Sequence, residues 1–492
     1  MLTTDSREVR AVVDSGAEWM ISRDIPDPVG WADLRFGATQ LALLVAPRLT
    51  GERPATRVHT LPFPKGPGAE NRPWIMASPI DEVAYRLLGG RLIEYAEAAL
   101  GPEVLSYRAS AIGPGWKTKD FRYGGRIRRS SVVALMESRF TGVGALDIRN
   151  YYPSLTNRVI AQPLAAVGAP VAVVTSVLRM LATWQTTWEA AGIPIGPETS
   201  GLLGNVGLVS VDEVVRPRVG SFFRITDDYT VMCSSRDFTD LTDRVAEAAG
   251  ELQLELNEKK IQFYDDLADL PLNLFDPEID SLLPLLARDR ARGLGRTRDL
   301  LQSALDSDIP APSRVKFCLG VLAGARDELP LRLVAERPEL MRISPKGFGR
   351  YLRAMIERRA VDEEWLVHLA LSKPTAMMAA VQYHLLLACR SLRLSKGLAV
   401  DLQDFALRPG NWTPLRCAAA EAWAASERAR DTLAVQAVLD VGDVVHRRAI
   451  TLGLRHINES KHRGKLLDRA EASTPELGPS VSWIRAGAPR AA

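Results

Sequence analysis

Alternating apolar and polar residues lead into a pair of acids near the middle of the chain. The run begins at Ser221 and reaches Asp227 and Asp228, and a second β-rich run follows from Tyr229 to Cys233. This pattern predicts two short strands joined by a tight turn that carries both acids. Adjacent carboxylates repel each other, and Mg²⁺ is bound through one or two carboxylates plus substrate phosphates, so the turn is a candidate metal site. A solvated turn is the alternative.

A third acid ends another predicted strand, 80 positions before Asp227. The apolar run that starts at Val143 stops at Asp147, and the aromatic pair and proline of residues 151–153 end the strand. Between the two strands, the Gly- and Pro-rich residues 192–197 precede a predicted helix with Ser200 as its N-cap. The order of these segments predicts one site assembled from neighbouring strands.

Taken together, these segments resemble the palm motifs of reverse transcriptases. DIRNYYPSL (147–155) resembles the first acidic motif of retron and group II intron enzymes, GIPIGPETSGLLGN (192–205) the loop-and-helix motif, and RITDDYTVM (224–232) the Asp-Asp hairpin. LQLELNEKKIQFY (252–264) is similar to the following motif, and residues 70–108 resemble the fingers segment. The resemblance covers residues 60 to 275 and rests on five ordered motifs.

The resemblance implies a catalytic site for two Mg²⁺ ions, with Mn²⁺ as a substitute. Asp147 and Asp227 would chelate both ions, and the backbone carbonyl of Ile148 would add an oxygen ligand. Asp228 is expected to be a supporting ligand, because it points to the other side of the strand end. Lys260 matches the family lysine that lies near the leaving group.

The resemblance also implies a binding site for deoxynucleoside triphosphates. Arg72 matches an arginine that holds the triphosphate, since a guanidinium fork fits phosphate oxygens. Tyr152 matches the residue that packs under the sugar and excludes a 2′-hydroxyl, with a core aromatic as the alternative. Gly196 and Ile148 complete the expected set. Ile195 stands where templated enzymes often carry Gln, and this departure puts templated nucleotide selection in doubt.

A basic segment, WKTKDFRYGGRIRR (116–129), precedes the Asp147 strand. It holds six Lys or Arg residues against one Asp, interleaved with aromatic residues. This alternation suits a groove that follows a nucleic-acid backbone and stacks on bases, whereas a solvated face is the alternative. The predicted nucleic-acid contacts are Lys117, Lys119, Arg122, Arg126, Arg128 and Arg129.

After Pro277 the strand pattern ends and amphipathic helices follow one another. Small residues in TPLRCAAAEAWAAS (413–426) suit the close stacking of HEAT-type helices, although the sequence shows no strict period. The predicted fold class is α+β, with a right-hand polymerase palm and fingers followed by an all-α, HEAT-like C-terminal domain. The predicted domains are a helical extension (1–60), fingers and palm (61–278), a helical repeat (279–475) and a flexible tail (476–492).

Composition changes this picture little. The 492 residues are 46% hydrophobic and 25% charged, as in ordinary globular proteins, and the net charge of +3 does not identify a nucleic-acid partner. The four cysteines lack CxxC spacing, so neither a zinc site nor a disulfide framework is indicated. The N-terminus has no apolar signal core and no run has the length of a membrane span. We therefore expect a cytoplasmic protein with no membrane partner.

The loop form GPExS and the long helical region most resemble bacterial abortive-infection and other defence-associated reverse transcriptases. This resemblance implies template-independent DNA synthesis from dNTPs in anti-phage defence, by a homo-oligomer. A protein hydroxyl is an alternative primer, which would leave the DNA product covalently attached. The first alternative function is an RNA-templated reverse transcriptase of the retron or group II type, with RNA as partner. The second is a catalytically silent nucleic-acid-binding scaffold, against which the intact acids argue.

Overall fold

The structure is a computed structural model of the chain. It describes residues 2–27, 29–64, 71–119, 121–138, 142–188, 190–307, 311–392, 394–424, 439, 442–456 and 460–488. For residues 121–123, 137–138, 456 and 460–462 it describes the backbone alone.

The helices and strands are numbered in chain order. The helices are α1 (Ser6–Ser22), α2 (Ala32–Phe36), α3 (Ala38–Thr50), α4 (Pro79–Ala99), α5 (Phe121–Ser138), α6 (Tyr151–Ser154), α7 (Asn157–Ala166), α8 (Val171–Trp188), α9 (Glu198–Gly207), α10 (Val209–Val215), α11 (Ser235–Glu251), α12 (Pro277–Arg288), α13 (Arg290–Asp306), α14 (Pro312–Ala325), α15 (Leu329–Glu336), α16 (Pro345–Ile356), α17 (Glu363–Ala370), α18 (Ala379–Cys389), α19 (Lys396–Leu407), α20 (Thr413–Ala424), α21 (Val444–Gly453), α22 (Ser460–Ser473) and α23 (Gly478–Arg485). The strands are β1 (His59–Pro64), β2 (Asn71–Met76), β3 (Ala109–Ala111), β4 (Lys117–Thr118), β5 (Val143–Asp147), β6 (Ser221–Ile225), β7 (Asp228–Met232) and β8 (Gln262–Tyr264).

The chain forms two compact units. The first unit comprises Met1–Met20, Ala42–Val58 and Pro79–Asp276, and the second comprises Ile21–Leu41, His59–Ser78 and Pro277–Ala492. The first unit contains strands β3 to β8, whereas the second contains the β1–β2 hairpin and helices α12 to α23. The α+β fold class predicted from the sequence is confirmed, and the chain is mostly helical.

The first unit is built on a four-stranded antiparallel sheet in the order β6–β7–β5–β8. Side chains alternate between the two faces of a strand, so Val143 and Asp147 of β5 share a face with their partners Met232 and Asp228 of β7. Helix α5 covers the far end of this face, where Val132 joins Val143 and Met232 in an apolar cluster. The carboxylate end of the same face therefore lies next to α5.

Helix α11 packs on the opposite face of the sheet. A Cβ atom on Gly144 would lie 2.2 Å from the ring of Phe238 in α11, so the absence of a side chain at Gly144 lets the helix approach the strand. Ser234 caps α11 by accepting a hydrogen bond from the Asp237 N–H at 3.2 Å. The strand predicted to end at Asp147 and the two strands predicted to flank the Asp227-Asp228 turn are all present.

The second unit is a succession of packed helices. A Cβ on Gly453 of α21 would lie 2.2 Å from the Cβ of Ala424 in α20, so small residues set the distance between these helices. Arg448 of α21 donates hydrogen bonds at 2.7 and 2.8 Å to the buried carboxylates of Asp27 and Asp33. These ion pairs attach residues 21–41 to the C-terminal helices.

The unit boundaries differ from the predicted domains in three places. Residues 1–60 are divided between the two units, and residues 61–78 belong to the second unit with the helices. The predicted flexible tail contains α23, in which Val481 and Ile484 are buried. Another predicted helix, residues 433–440, lies almost wholly outside the described residues. Among the helices of the described residues, none has the length and the mean hydropathy that a membrane span requires.

Candidate functional site

Three acidic residues lie at the adjoining ends of two paired strands. Asp147 of β5 is the direct antiparallel partner of Asp228 in β7, a register that sets opposed Cβ atoms about 5 Å apart. Asp227 occupies the turn before β7, and its carbonyl oxygen accepts a hydrogen bond from the Ile148 N–H at 3.3 Å. The pairing of two distant segments thus places Asp147 beside the Asp-Asp turn.

Asp147 is buried and clamped by residues of the segment that precedes β8. Its Oδ2 accepts a hydrogen bond from the Lys260 ammonium at 2.6 Å, and its Oδ1 accepts one from the Asn257 side chain at 3.0 Å. The Asn257 backbone N–H also donates to the Asp147 carbonyl at 2.8 Å. The predicted catalytic residue Lys260 therefore touches a predicted metal ligand.

Asp228 has a different counter-ion. Its Oδ2 accepts a hydrogen bond at 2.8 Å from the guanidinium of Arg128, which projects from α5. Arg128 is one of the predicted nucleic-acid contacts, and the structure buries its side chain in this ion pair. Sequence reasoning missed the pairing because the two residues are 100 positions apart.

The turn before β7 rests on a buried polar network. Arg224 donates hydrogen bonds to the Thr226 carbonyl at 2.8 Å and to both oxygens of Asp212 at 2.6 and 2.7 Å. The Ser106 hydroxyl accepts the Thr226 N–H at 2.8 Å, and the Tyr229 hydroxyl donates to Asp212 at 2.8 Å. Thr226 has φ 61°, a left-handed conformation that these contacts hold in place.

Burial and the Asp212 charge together shift the pKa values of two residues in this network. Burial opposes the charge of Arg224, but the adjacent Asp212 carboxylate outweighs it and raises the arginine pKa above its ordinary value. Burial, reinforced by Asp212, raises the pKa of Tyr229 well above its usual range. The network is therefore an ion pair with a neutral phenol. The available sequence signal was Arg224 itself, since a charged residue in an apolar strand needs a buried partner.

Tyr152 lies next to the carboxylates. Burial raises the pKa of its hydroxyl well above the ordinary value, and Tyr107 and Asp227 add to the effect. Its ring lies edge-on to that of Tyr151, with ring centroids 5.5 Å apart. A Cβ on Gly204 of α9 would lie 3.4 Å from the Tyr152 ring. A neutral, half-buried ring beside Asp227 is compatible with both a sugar contact and a core aromatic.

The loop before α9 is anchored by a buried acid. Gly196 has φ 131°, a region that favours glycine, and α9 begins at Glu198 rather than at the predicted cap Ser200, which is buried inside the helix. The Glu198 carboxylate pairs with Arg86 and accepts the Thr118 N–H at 3.2 Å. Glu198 therefore fixes strand β4 beside the loop.

The remaining predicted nucleic-acid contacts have varied positions. Lys117, Lys119 and Arg126 are exposed, and Arg129 is partly buried. The side chain of Arg122 lies outside the described residues. Trp116, predicted to interleave with the cations as a base-stacking surface, is instead fully buried, with the Arg86 guanidinium 4.4 Å from its ring centroid.

Arg72 belongs to the second unit. It is exposed on β2, opposite Phe63 of β1. Its role as a triphosphate contact stays a prediction.

Metal binding at the strand ends stays a prediction. Among the described residues, no three or more His, Cys, Asp or Glu side chains form a ready-made metal site. Mg²⁺ needs fewer protein ligands, since one or two carboxylates suffice when waters and substrate phosphates complete the shell. The Lys260 ammonium already places a cation on Asp147. The bridge between Ile148 and Leu256 uses the carbonyls of Asp147 and Glu255, so it does not occupy the Ile148 carbonyl.

Comparisons with known proteins add no assignment. No protein-family model matches the chain, and a search of curated proteins found no matching relative. The interpretation of the site rests on its own residues and geometry.

Proposed function

We propose that the protein is a Mg²⁺-dependent DNA polymerase of the reverse-transcriptase family that makes DNA from dNTPs without a template, in defence against phage. The observation that carries the proposal is the strand register, which sets Asp147 opposite Asp228 and beside the Asp227 turn. Carboxylates on adjacent strand ends form the oxygen-rich site that phosphoryl transfer with divalent cations requires. Template independence rests on the resemblance and on Ile195 alone.

Each residue of the site has a part in the proposed reaction. A 3′ or protein hydroxyl gives up its proton to solvent, and its oxygen forms a bond to the α-phosphorus of the dNTP. The bond from the α-phosphorus to the bridging oxygen breaks, and pyrophosphate leaves. Bound Mg²⁺ would activate the attacking oxygen and neutralise the leaving group. Asp147 and Asp227, with the Ile148 carbonyl, would hold the ions, and Asp228 would support them. Tyr152 would pack under the sugar.

Lys260 would bind Asp147 before the reaction and the leaving pyrophosphate during it. It contacts Asp147 at 2.6 Å, yet its side chain is 55% exposed, so the ammonium is tethered at the site without being buried in it. Asp147 would hold bound Mg²⁺, and the Lys260 ammonium would then stabilise the charge that develops on the leaving pyrophosphate. Such charge stabilisation is the usual role of a lysine in phosphoryl transfer.

Each unit has a part in the proposed architecture. The first unit, with its sheet and helices α5 and α11 on opposite faces, would be the palm with part of the fingers. The second unit, in which Gly453 of α21 lies close to Ala424 of α20, would be the HEAT-like repeat. Lys117, Lys119 and Arg126 of the first unit would contact nucleic-acid phosphates.

The test is incorporation of labelled dNTPs by the purified full chain with Mg²⁺, with and without RNA template. The catalytic variants are Asp147→Asn and Asp227→Asn. A matched control is Asp265→Asn, because Asp265 belongs to an exposed Asp-Asp pair in the same unit. We expect template-free synthesis that both catalytic variants lose and the control retains.

The other outcomes separate the alternatives. Synthesis only with RNA would replace the proposal by an RNA-templated reverse transcriptase. Nucleic-acid binding without synthesis in either condition would favour the silent scaffold. Synthesis that survives both catalytic variants would refute the assignment of the site.

A further inference from the structure

The two ion pairs of the site differ in which partner is exposed. In the Lys260–Asp147 pair the lysine side chain is 55% exposed and the aspartate 10%. In the Arg128–Asp228 pair the arginine is 7% exposed and the aspartate 37%. An incoming metal can release Lys260 into water. Release of Arg128 would leave a guanidinium buried without a counter-ion, which is strongly destabilising.

Arg128 is held in place by the packing of α5 on both sides of it. One turn later, Val132 is fully buried in the cluster with Val143 and Met232. One turn earlier, a Cβ on Gly124 would lie 2.5 Å from the Leu105 carbonyl oxygen, so the helix backbone is packed tightly there. Since α5 is fixed at both points, Arg128 keeps its position relative to β7.

We propose that Arg128 is a positioning residue that keeps Asp228 out of metal coordination, so that Asp147 and Asp227 alone supply the carboxylate ligands. This inference rests on the proposed function. It replaces the supporting-ligand role expected for Asp228 and the phosphate contact expected for Arg128. Asp228 then shapes the site as the anchored first residue of β7, next to the turn that presents Asp227.

Charge-neutral double variants separate a ligand from a positioned neighbour. Arg128→Met with Asp228→Asn removes one ion pair, and Lys260→Met with Asp147→Asn removes the other. Neither double variant changes the net charge. Mn²⁺ binding to the full chain is measured by electron paramagnetic resonance, which counts free Mn²⁺, and circular dichroism verifies folding. We expect the Arg128–Asp228 variant to keep the wild-type Mn²⁺ affinity to within about threefold, because no ligand is lost. The Lys260–Asp147 variant should lose binding by more than about tenfold.

Single variants give a second, independent measurement. Arg128→Met removes a cation near the site and releases Asp228, so Mn²⁺ binding should tighten by about threefold to tenfold. Arg128→Lys keeps the charge and should restore wild-type affinity.

The outcomes are distinguishable. Loss of Mn²⁺ binding in the Arg128–Asp228 double variant, equal to that of the Lys260–Asp147 variant, would make Asp228 a ligand and overturn the inference. Unchanged affinity in Arg128→Met would also overturn it. If wild-type protein binds no more Mn²⁺ than Asp147→Asn, the proposed function itself fails, and the inference fails with it.

Discussion

The buried Arg224–Asp212 pair should be essential for the stability of the first unit. Both side chains are almost fully buried, at 0% and 2% exposure, and are joined by two hydrogen bonds. Asp212→Asn keeps the shape of the side chain but leaves Arg224 as a buried cation without a counter-ion. Removing one partner of a buried ion pair costs about 3–5 kcal/mol.

Asp212→Asn also weakens the acceptor of the Tyr229 hydroxyl, and loss of that hydrogen bond would add about 1–3 kcal/mol to the destabilisation. The two losses share Asp212 and will not simply add. We therefore expect the free energy of unfolding to fall by at least about 3 kcal/mol, a large part of the 5–15 kcal/mol typical of a domain. The assay is urea denaturation followed by tryptophan fluorescence, since Trp116 and Trp184 are buried in this unit.

Two controls test the reasoning. Arg224→Met with Asp212→Leu removes both charges and should recover much of the loss, because apolar replacements of buried pairs are often neutral. Arg244→Met breaks an exposed pair with Glu247 on α11, with side chains 52% and 68% exposed, and should change stability by less than about 0.5 kcal/mol. The reasoning is refuted if Asp212→Asn costs no more than Arg244→Met.

Three further predictions concern other positions. Gly144→Ala should lower the free energy of unfolding by about 1–3 kcal/mol, because its Cβ would lie 2.2 Å from the Phe238 ring; an unchanged melting temperature would contradict this. Burial lowers the pKa of His384 to about 3, and the nearby cation Lys346 adds to the effect. The folded chain therefore holds this imidazole neutral, whereas in the unfolded chain it binds a proton near the ordinary pKa of 6.5. The contribution of neutral His384 to the free energy of unfolding is therefore complete above pH 6.5 and is lost as the pH falls from 6.5 toward 3. In acid denaturation, His384→Gln should accordingly lose stability less steeply than the wild type over that pH range. Under the proposed function, Lys260→Met should lower kcat about 100-fold with little change in KM in single-nucleotide incorporation, because its charge would act on the leaving group. A change in KM alone would argue for ground-state binding instead.

Local sequence patterns determined the elements that carry the site. The alternation before Asp227 and the β-rich run after it predicted the β6–β7 hairpin, and the apolar run ending at Asp147 predicted β5. The change to amphipathic helices predicted a helical C-terminal region that begins at Pro277, where the second unit resumes. These predictions succeed because strand alternation, turn chemistry and helical spacing are properties of residues near each other in the chain.

The tertiary structure alone decided how the charges of the site are paired. Arg128 and Asp228 are 100 positions apart, and Lys260 and Asp147 are 113 apart, so no local pattern connects them. Six cations between residues 117 and 129 look equivalent in sequence, yet packing of α5 on the sheet buries Arg128 and leaves Arg126 exposed. A buried charge takes whichever counter-ion the fold brings within reach, because the desolvation cost must be offset there. The sequence thus determined which carboxylates could form a site, and the strand register and the packing of α5 determined which cation accompanies each.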